Sequence, residues 1–85
     1  MTPAAPSITI DLRTLYAEQA KLADIPAMIA GAIALAGKGN AVVITGQAPV
    51  WMYLVIAHAL HGTARSLTYT SPVSGDVAVF EHNPF

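Results

Sequence analysis

Two histidines three positions apart, His58 and His61, and a glycine-containing turn upstream of them are the parts of this sequence best suited to chemistry. On a helix, residues three apart share a face, so the imidazoles would lie together. Histidine can take or deliver a proton near neutral pH. The turn reads Thr45, Gly46, Gln47, Ala48, Pro49 and follows a short apolar run, AVVI. Glycine lets another group approach the main chain closely, and a strand-to-helix turn leaves backbone N–H groups without partners, an arrangement that suits an anion. Pro49 fits the start of a helix, where its missing N–H costs nothing. Trp51 and Tyr53 follow at once. Being two apart they cannot share a helix face, so at most one can stack on a ligand while the other packs in the core or an interface.

These groups need a strand, a turn and a helix to hold them, and residues 41–61 supply all three. Around them, residues 7–12 (SITIDL) alternate as a first strand, and residues 15–23 tolerate a helix. Asp24 and Pro26 mark the start of a helix ending near Ala36, whose face of Ala27, Ala30 and Ala34 permits close packing on a sheet. GKGN (residues 37–40) stops it. Gly62 ends the second helix. Residues 65–70 (RSLTYT) and 77–81 (VAVFE) read as strands around the turn SPVSGD.

The order β-α-β-α-β-β predicts a small α/β domain. Its first three strands are parallel, made so by right-handed crossovers, and an antiparallel hairpin closes one edge. The ends of the parallel strands face one side, where ligands collect. Gly46, Thr70 and the end of the first strand should therefore share a rim. Residues 1–85 form one domain, with 1–6 expected to fray.

Composition narrows the functions. Charged residues are 11% of the 85, hydrophobic ones 54%, and the formal charge is −1. No basic surface exists for long nucleic acid; a nucleotide ligand would have to be short and held by backbone donors. The chain has no cysteine, which removes disulfides and thiolate metal sites. An i, i+3 histidine pair can ligate a metal, but no third ligand has suitable spacing. No cofactor is required; manganese is compatible with the sequence but not demanded by it. Mean hydropathy is +0.53, yet the apolar runs at 25–36 and 48–60 are shorter than the roughly 20 residues of a spanning helix. No basic residue precedes an apolar core at the N-terminus, so no signal peptide is read. A cytoplasmic protein without a membrane role is expected.

The run ITGQAPVWMY, the following AHALH and a strand closing in Tyr69 resemble the smaller CRISPR-associated ring nucleases of type III systems, first described as manganese-dependent RNA exonucleases. That family shows a buried strand, Ser-Gly-Arg-Gly-Pro-(Ile/Val)-Trp-Leu-(Tyr/His), a histidine-bearing helix, and a strand closing with Tyr-Asp-Pro-Arg. The resemblance covers residues 39–79, roughly half the chain.

It implies binding and cleavage of the second messenger cyclic tetra-adenylate by dimers. One ligand is held between two dimers, which can stack into filaments. By the same resemblance Gly46 and Pro49 belong to the phosphate-facing turn, with Thr45, Gln47 and Ala48 beside them. Trp51 and Tyr53 form the aromatic pair, His61 is the cleavage histidine and His58 its neighbour. The chain departs from the pattern at Gln47 (arginine in the family), Ala48 (glycine) and Thr70 (the catalytic aspartate), and Asp76 is the nearest acid.

Cleavage would need no metal. The ligand's own 2′-hydroxyl can attack the adjacent phosphate while a histidine moves the proton and backbone donors steady the oxygens. Without a carboxylate to orient His61, turnover should be slow. Thr70 can hydrogen-bond a phosphate or ribose, and Arg65, beside the histidine end, is the candidate cation. Two versions follow, a slow ring nuclease and a protein that sequesters the messenger. A third reading, from another class, is a non-catalytic module whose apolar helices pack on a partner subunit.

Overall fold

The computed structural model describes residues 7–16 and 18–81. In chain order these form β1 (Ser7–Asp11), a 3-10 helix (Leu12–Leu15), a second 3-10 helix (Leu22–Asp24), α1 (Ile25–Ala36), β2 (Ala41–Thr45), α2 (Val50–Leu60), β3 (Ser66–Ser71) and β4 (Gly75–Glu81). One four-stranded sheet runs in the order β1-β2-β3-β4. β1 and β2 are parallel, as are β2 and β3; β4 returns antiparallel to β3. This is the expected small α/β domain with a mainly parallel sheet and an edge hairpin. The segment expected to fray, 1–6, lies outside the described residues.

Two right-handed crossovers stepping the same way along a sheet put both helices on one face, and α1 and α2 pack on each other. The covered face is the alternating set Ile10, Val42, Ile44 and Leu67, all fully buried. Each helix adds one stripe at i, i+4, i+8: Met28, Ala32 and Ala36 from α1, and Met52, Ile56 and Leu60 from α2. Burying such side chains contributes about 1.5–3 kcal/mol for each large one. Val43, Thr45, Thr68 and Thr70 belong to the opposite, uncovered face.

Two local expectations are corrected, and one is refined. Among the described residues of 15–23 none is α-helical: the first 3-10 helix ends at Leu15, and the second, Leu22–Asp24, leads directly into α1. Asp24 does stand at the N-cap position of α1, with Pro26 in the first turn, though its side chain makes no capping bond. The alanines packed inward are Ala32 and Ala36, while Ala27, Ala30 and Ala34 face outward. Larger Met28 and Ile29 set the buried stripe, and the alanines that share their spacing follow it.

The 37–40 turn stops α1 as expected. The Asn40 side-chain amide donates to the Ala36 carbonyl at 2.8 Å, and the Thr63 hydroxyl donates to the Gly37 carbonyl at 3.0 Å. The second bond ties this turn to the one after α2, at the same end of the sheet.

Candidate functional site

The parallel register sets Asp11 opposite Thr45 and Ile44 opposite Tyr69, so the carboxyl ends of three strands lie side by side. The strand order never reverses, and the crevice that doubly wound sheets open at a reversal is missing. Its walls are supplied by connections instead. The first 3-10 helix closes one side and the β3–β4 turn, at Pro72, the other. Between them lies a cleft of about 580 Å³ lined by Asp11, Arg13, the turn residues Thr45, Gly46, Gln47 and Ala48, and Tyr53, Tyr69 and Thr70. A polar lobe of about 500 Å³ adjoins it and shares Asp11, Arg13 and Gln47.

Gly46 is the residue this site cannot exchange. Its φ of 99° lies where side-chain-bearing residues are strained. The space a Cβ would fill is also occupied by the Asp11 carboxylate, with its Cγ 2.9 Å away. Asp11 in turn accepts from the backbone N–H of Arg13 at 2.9 Å and so caps the first 3-10 helix. The Tyr16 hydroxyl donates to the Gln47 carbonyl at 2.9 Å. These contacts lock the β1 connection against the β2–α2 turn. Pro49 is the residue just before α2, in extended conformation, and no side chain caps that helix. The Met52 N–H donates to the Pro49 carbonyl at 3.0 Å, which leaves the N–H groups of Val50 and Trp51 without an intrahelical partner.

Tyr53 and Tyr69 meet edge to face, ring centroids 4.9 Å apart. Burial raises the Tyr53 phenol above its usual pKa, reinforced by Tyr69 alongside it and by the Asp11 carboxylate. Tyr53 is the member of the aromatic pair that lines the cleft; Trp51 is half-buried and packs on the core. Thr70 donates its hydroxyl to Asp76 Oδ1 at 2.9 Å across the hairpin. The family-pattern position of the acid therefore holds a hydroxyl already paired with a carboxylate.

The histidines stand elsewhere. His61 follows the last residue of α2 and lies edge-on to Phe80, centroids 5.0 Å apart. Phe80 pairs with Leu67 near the start of β3, so His61 is at the amino ends of the parallel strands. His58 and Arg65 are exposed at that same end. Eleven residues of α2 span about 16 Å, and that length separates them from the glycine turn. The structure thus gathers Thr45, Gly46, Gln47, Ala48, Tyr53 and Thr70 at one end, and His58, His61 and Arg65 at the other. Among the described residues no three His, Asp or Glu side chains converge as a metal would need. No helix there is long and apolar enough to cross a membrane.

Sequence reasoning passed over Asp11, Arg13, Tyr16 and Pro72. Asp11 was within reach, since the end of the first strand was expected on this rim. Arg13 and Tyr16 gave no signal, because only the unforeseen 3-10 turn brings them to the cleft.

A family described as CRISPR-associated protein (Cas_csx3) matches residues 14–85. The chain belongs to that family. No curated protein and no solved structure matches it. The family match takes in the glycine turn, α2 with both histidines, and the β3–β4 hairpin, but begins after Asp11 and Arg13.

Proposed function

We propose that this CRISPR-associated protein binds cyclic tetra-adenylate, the second messenger of type III defence, and lowers its level by slow ring cleavage or by sequestration. The observation that carries the reading is the cleft over Gly46 at the carboxyl ends of three parallel strands. It offers backbone donors for a phosphate and the Tyr53–Tyr69 pair as an apolar wall for a purine. Thr70 is a hydroxyl at its edge, suited to a ribose or phosphate oxygen.

Under this reading the histidine end belongs to a different copy. His61 is about 16 Å from the turn along a rigid helix, so one subunit cannot apply both to one phosphodiester. A ligand held by the cleft of one dimer and attacked with the help of His61 from another makes a head-to-tail arrangement, which propagates unless it closes. This agrees with the ligand-bridged dimers and filaments that the sequence resemblance implies. In the cleavage step the 2′-hydroxyl attacks the adjacent phosphorus and the 5′-oxygen leaves. His61 moves the proton, and the linear product ends in a 2′,3′-cyclic phosphate. Thr70 standing where the family pattern has its catalytic aspartate favours slow turnover.

A second reading has its own observation. α2 and β4 leave an apolar groove of about 410 Å³ bordered by Val50, Leu54 and Val79, with Val50 75% and Leu54 66% exposed. Such a patch suits a non-catalytic module packed on a partner subunit.

The deciding experiment incubates the protein with cyclic tetra-adenylate at near-equal concentrations, with and without manganese, and separates products by chromatography. Linear product that His61→Ala abolishes supports the nuclease; intact ligand tightly retained supports sequestration; neither outcome leaves the module. For a nuclease, mixing inactive His61→Ala with cleft-blocked Ala48→Glu should restore part of the activity, because intact cleft and intact histidine then meet across copies. A mixture as inactive as its parts would refute the composite site.

A further inference from the structure

Position 47 carries glutamine, so the β2–α2 turn presents no cation to an anionic ligand, and the cleft already contains the Asp11 carboxylate. A second carboxylate, Asp76, is bonded to Thr70 at the cleft edge. A phosphate entering this space meets like charge unless a cation offsets it. Among the described residues one cation lines both the cleft and its polar lobe, and it is Arg13.

Arg13 is held there. Its backbone N–H is fixed to the Asp11 carboxylate at 2.9 Å, and the end of the same 3-10 connection is pinned to the Gln47 carbonyl through the Tyr16 hydroxyl. Its side chain is exposed, and among the described residues no ion pair engages it. Lys38 and Arg65 flank the opposite end of the sheet. A planar guanidinium carries several donors in one fork and matches two phosphate oxygens at once.

We propose that Arg13 is the phosphate-binding cation of this cleft, supplying from the β1 connection the charge that Gln47 does not supply from the β2–α2 turn. The inference rests on the cyclic tetra-adenylate reading and adds to it a residue that the family match does not cover. It also gives Asp11 a role besides capping, because that cap fixes where the guanidinium starts.

The test is equilibrium binding of cyclic tetra-adenylate to the full chain, with each variant's melting temperature measured without ligand. Arg13→Gln should weaken binding about 10- to 100-fold, as loss of a charge-assisted hydrogen-bonded contact does. It should leave melting unchanged and flatten the salt dependence of affinity. Adding Gln47→Arg to Arg13→Gln should recover most of the affinity, since the cation returns from the facing wall. Arg13→Gln binding as tightly as the native chain would overturn the role of Arg13 and leave the functional reading standing. Failure of Gln47→Arg to recover any affinity would also overturn it, because Arg13 would then act through loop shape and not charge. A native chain that does not bind the ligand overturns both.

Discussion

Replacing Gly46 by alanine tests the tightest point of the structure. At φ 99° a residue with a side chain is strained by about 1–3 kcal/mol. The new methyl would also land on the Asp11 carboxylate, which must swing away and give up its bond to the Arg13 N–H. A lost cap costs about 1 kcal/mol, so the total is roughly 2–4 kcal/mol. For a domain this small each kcal/mol moves the melting temperature by about 4–8 °C, so Gly46→Ala should lower it by roughly 8–32 °C. The decisive assay is a double-mutant cycle by urea unfolding. Asp11→Ala alone should cost about 1 kcal/mol. In that background Gly46→Ala should cost less than it does in the native chain, because the clash is gone and only the backbone strain remains. Coupling between contacting residues of this kind runs to about 0.5–3 kcal/mol. Strictly additive costs, or a Gly46→Ala penalty below about 1 kcal/mol, would refute the account of a glycine forced by both its angle and its neighbour.

The raised Tyr53 phenol predicts a pH dependence. The folded chain holds that proton more tightly than the unfolded one, so its contribution is intact below the ordinary value of 10.0 and is lost as pH rises through the higher folded value. Stability followed from pH 9 to 11 should fall less steeply in Tyr53→Phe than in the native chain, and equal slopes would contradict the shift. Thr70→Asp alone would set two carboxylates where a 2.9 Å hydrogen bond now stands, and should not speed ring cleavage. If the ring-nuclease version of the proposal holds, Thr70→Asp combined with Asp76→Asn keeps a donor opposite the new acid and should raise the cleavage rate about tenfold or more, the lower range for a positioned acid or base. No gain in linear product would count against the proposal that Thr70, in place of an acid, limits cleavage.

Much of this arrangement can be read from the chain because a few residues leave little choice. Alternation in β1, the β-branched run of β2 and the glycine stops after each helix set the element order, and handed crossovers then set the strand order. That order alone predicts that Gly46, Thr70 and the end of β1 meet on one rim. The connection after β1 was illegible for a physical reason. LYAEQAKLA has good intrinsic helix formers, but propensity is a weak prior in so short a segment. What decides the turn is Asp11 capping back on Arg13 and Tyr16 reaching Gln47, and the Tyr16 contact spans residues distant in sequence. The cleft's Arg13 and Tyr16 were lost with it. In α1 the alanine spacing was equally compatible with two faces, and only the positions of Met28 and Ile29 separate them.

The separation of the two clusters follows from the same topology. A chain that winds in one direction across its sheet must enter each helix at the carboxyl rim and leave it at the amino rim. The glycine turn and His61 sit before and after one helix, so they cannot share a rim in a single subunit. Nor can a local fluctuation join them, since α2 buries Met52, Ile56 and Leu60 in the core and moves only if the domain opens. Chemistry that used both ends would belong to an assembly and not to a subunit. Its rate per subunit would then rise with protein concentration until the assembly saturates, and stay flat if one end suffices.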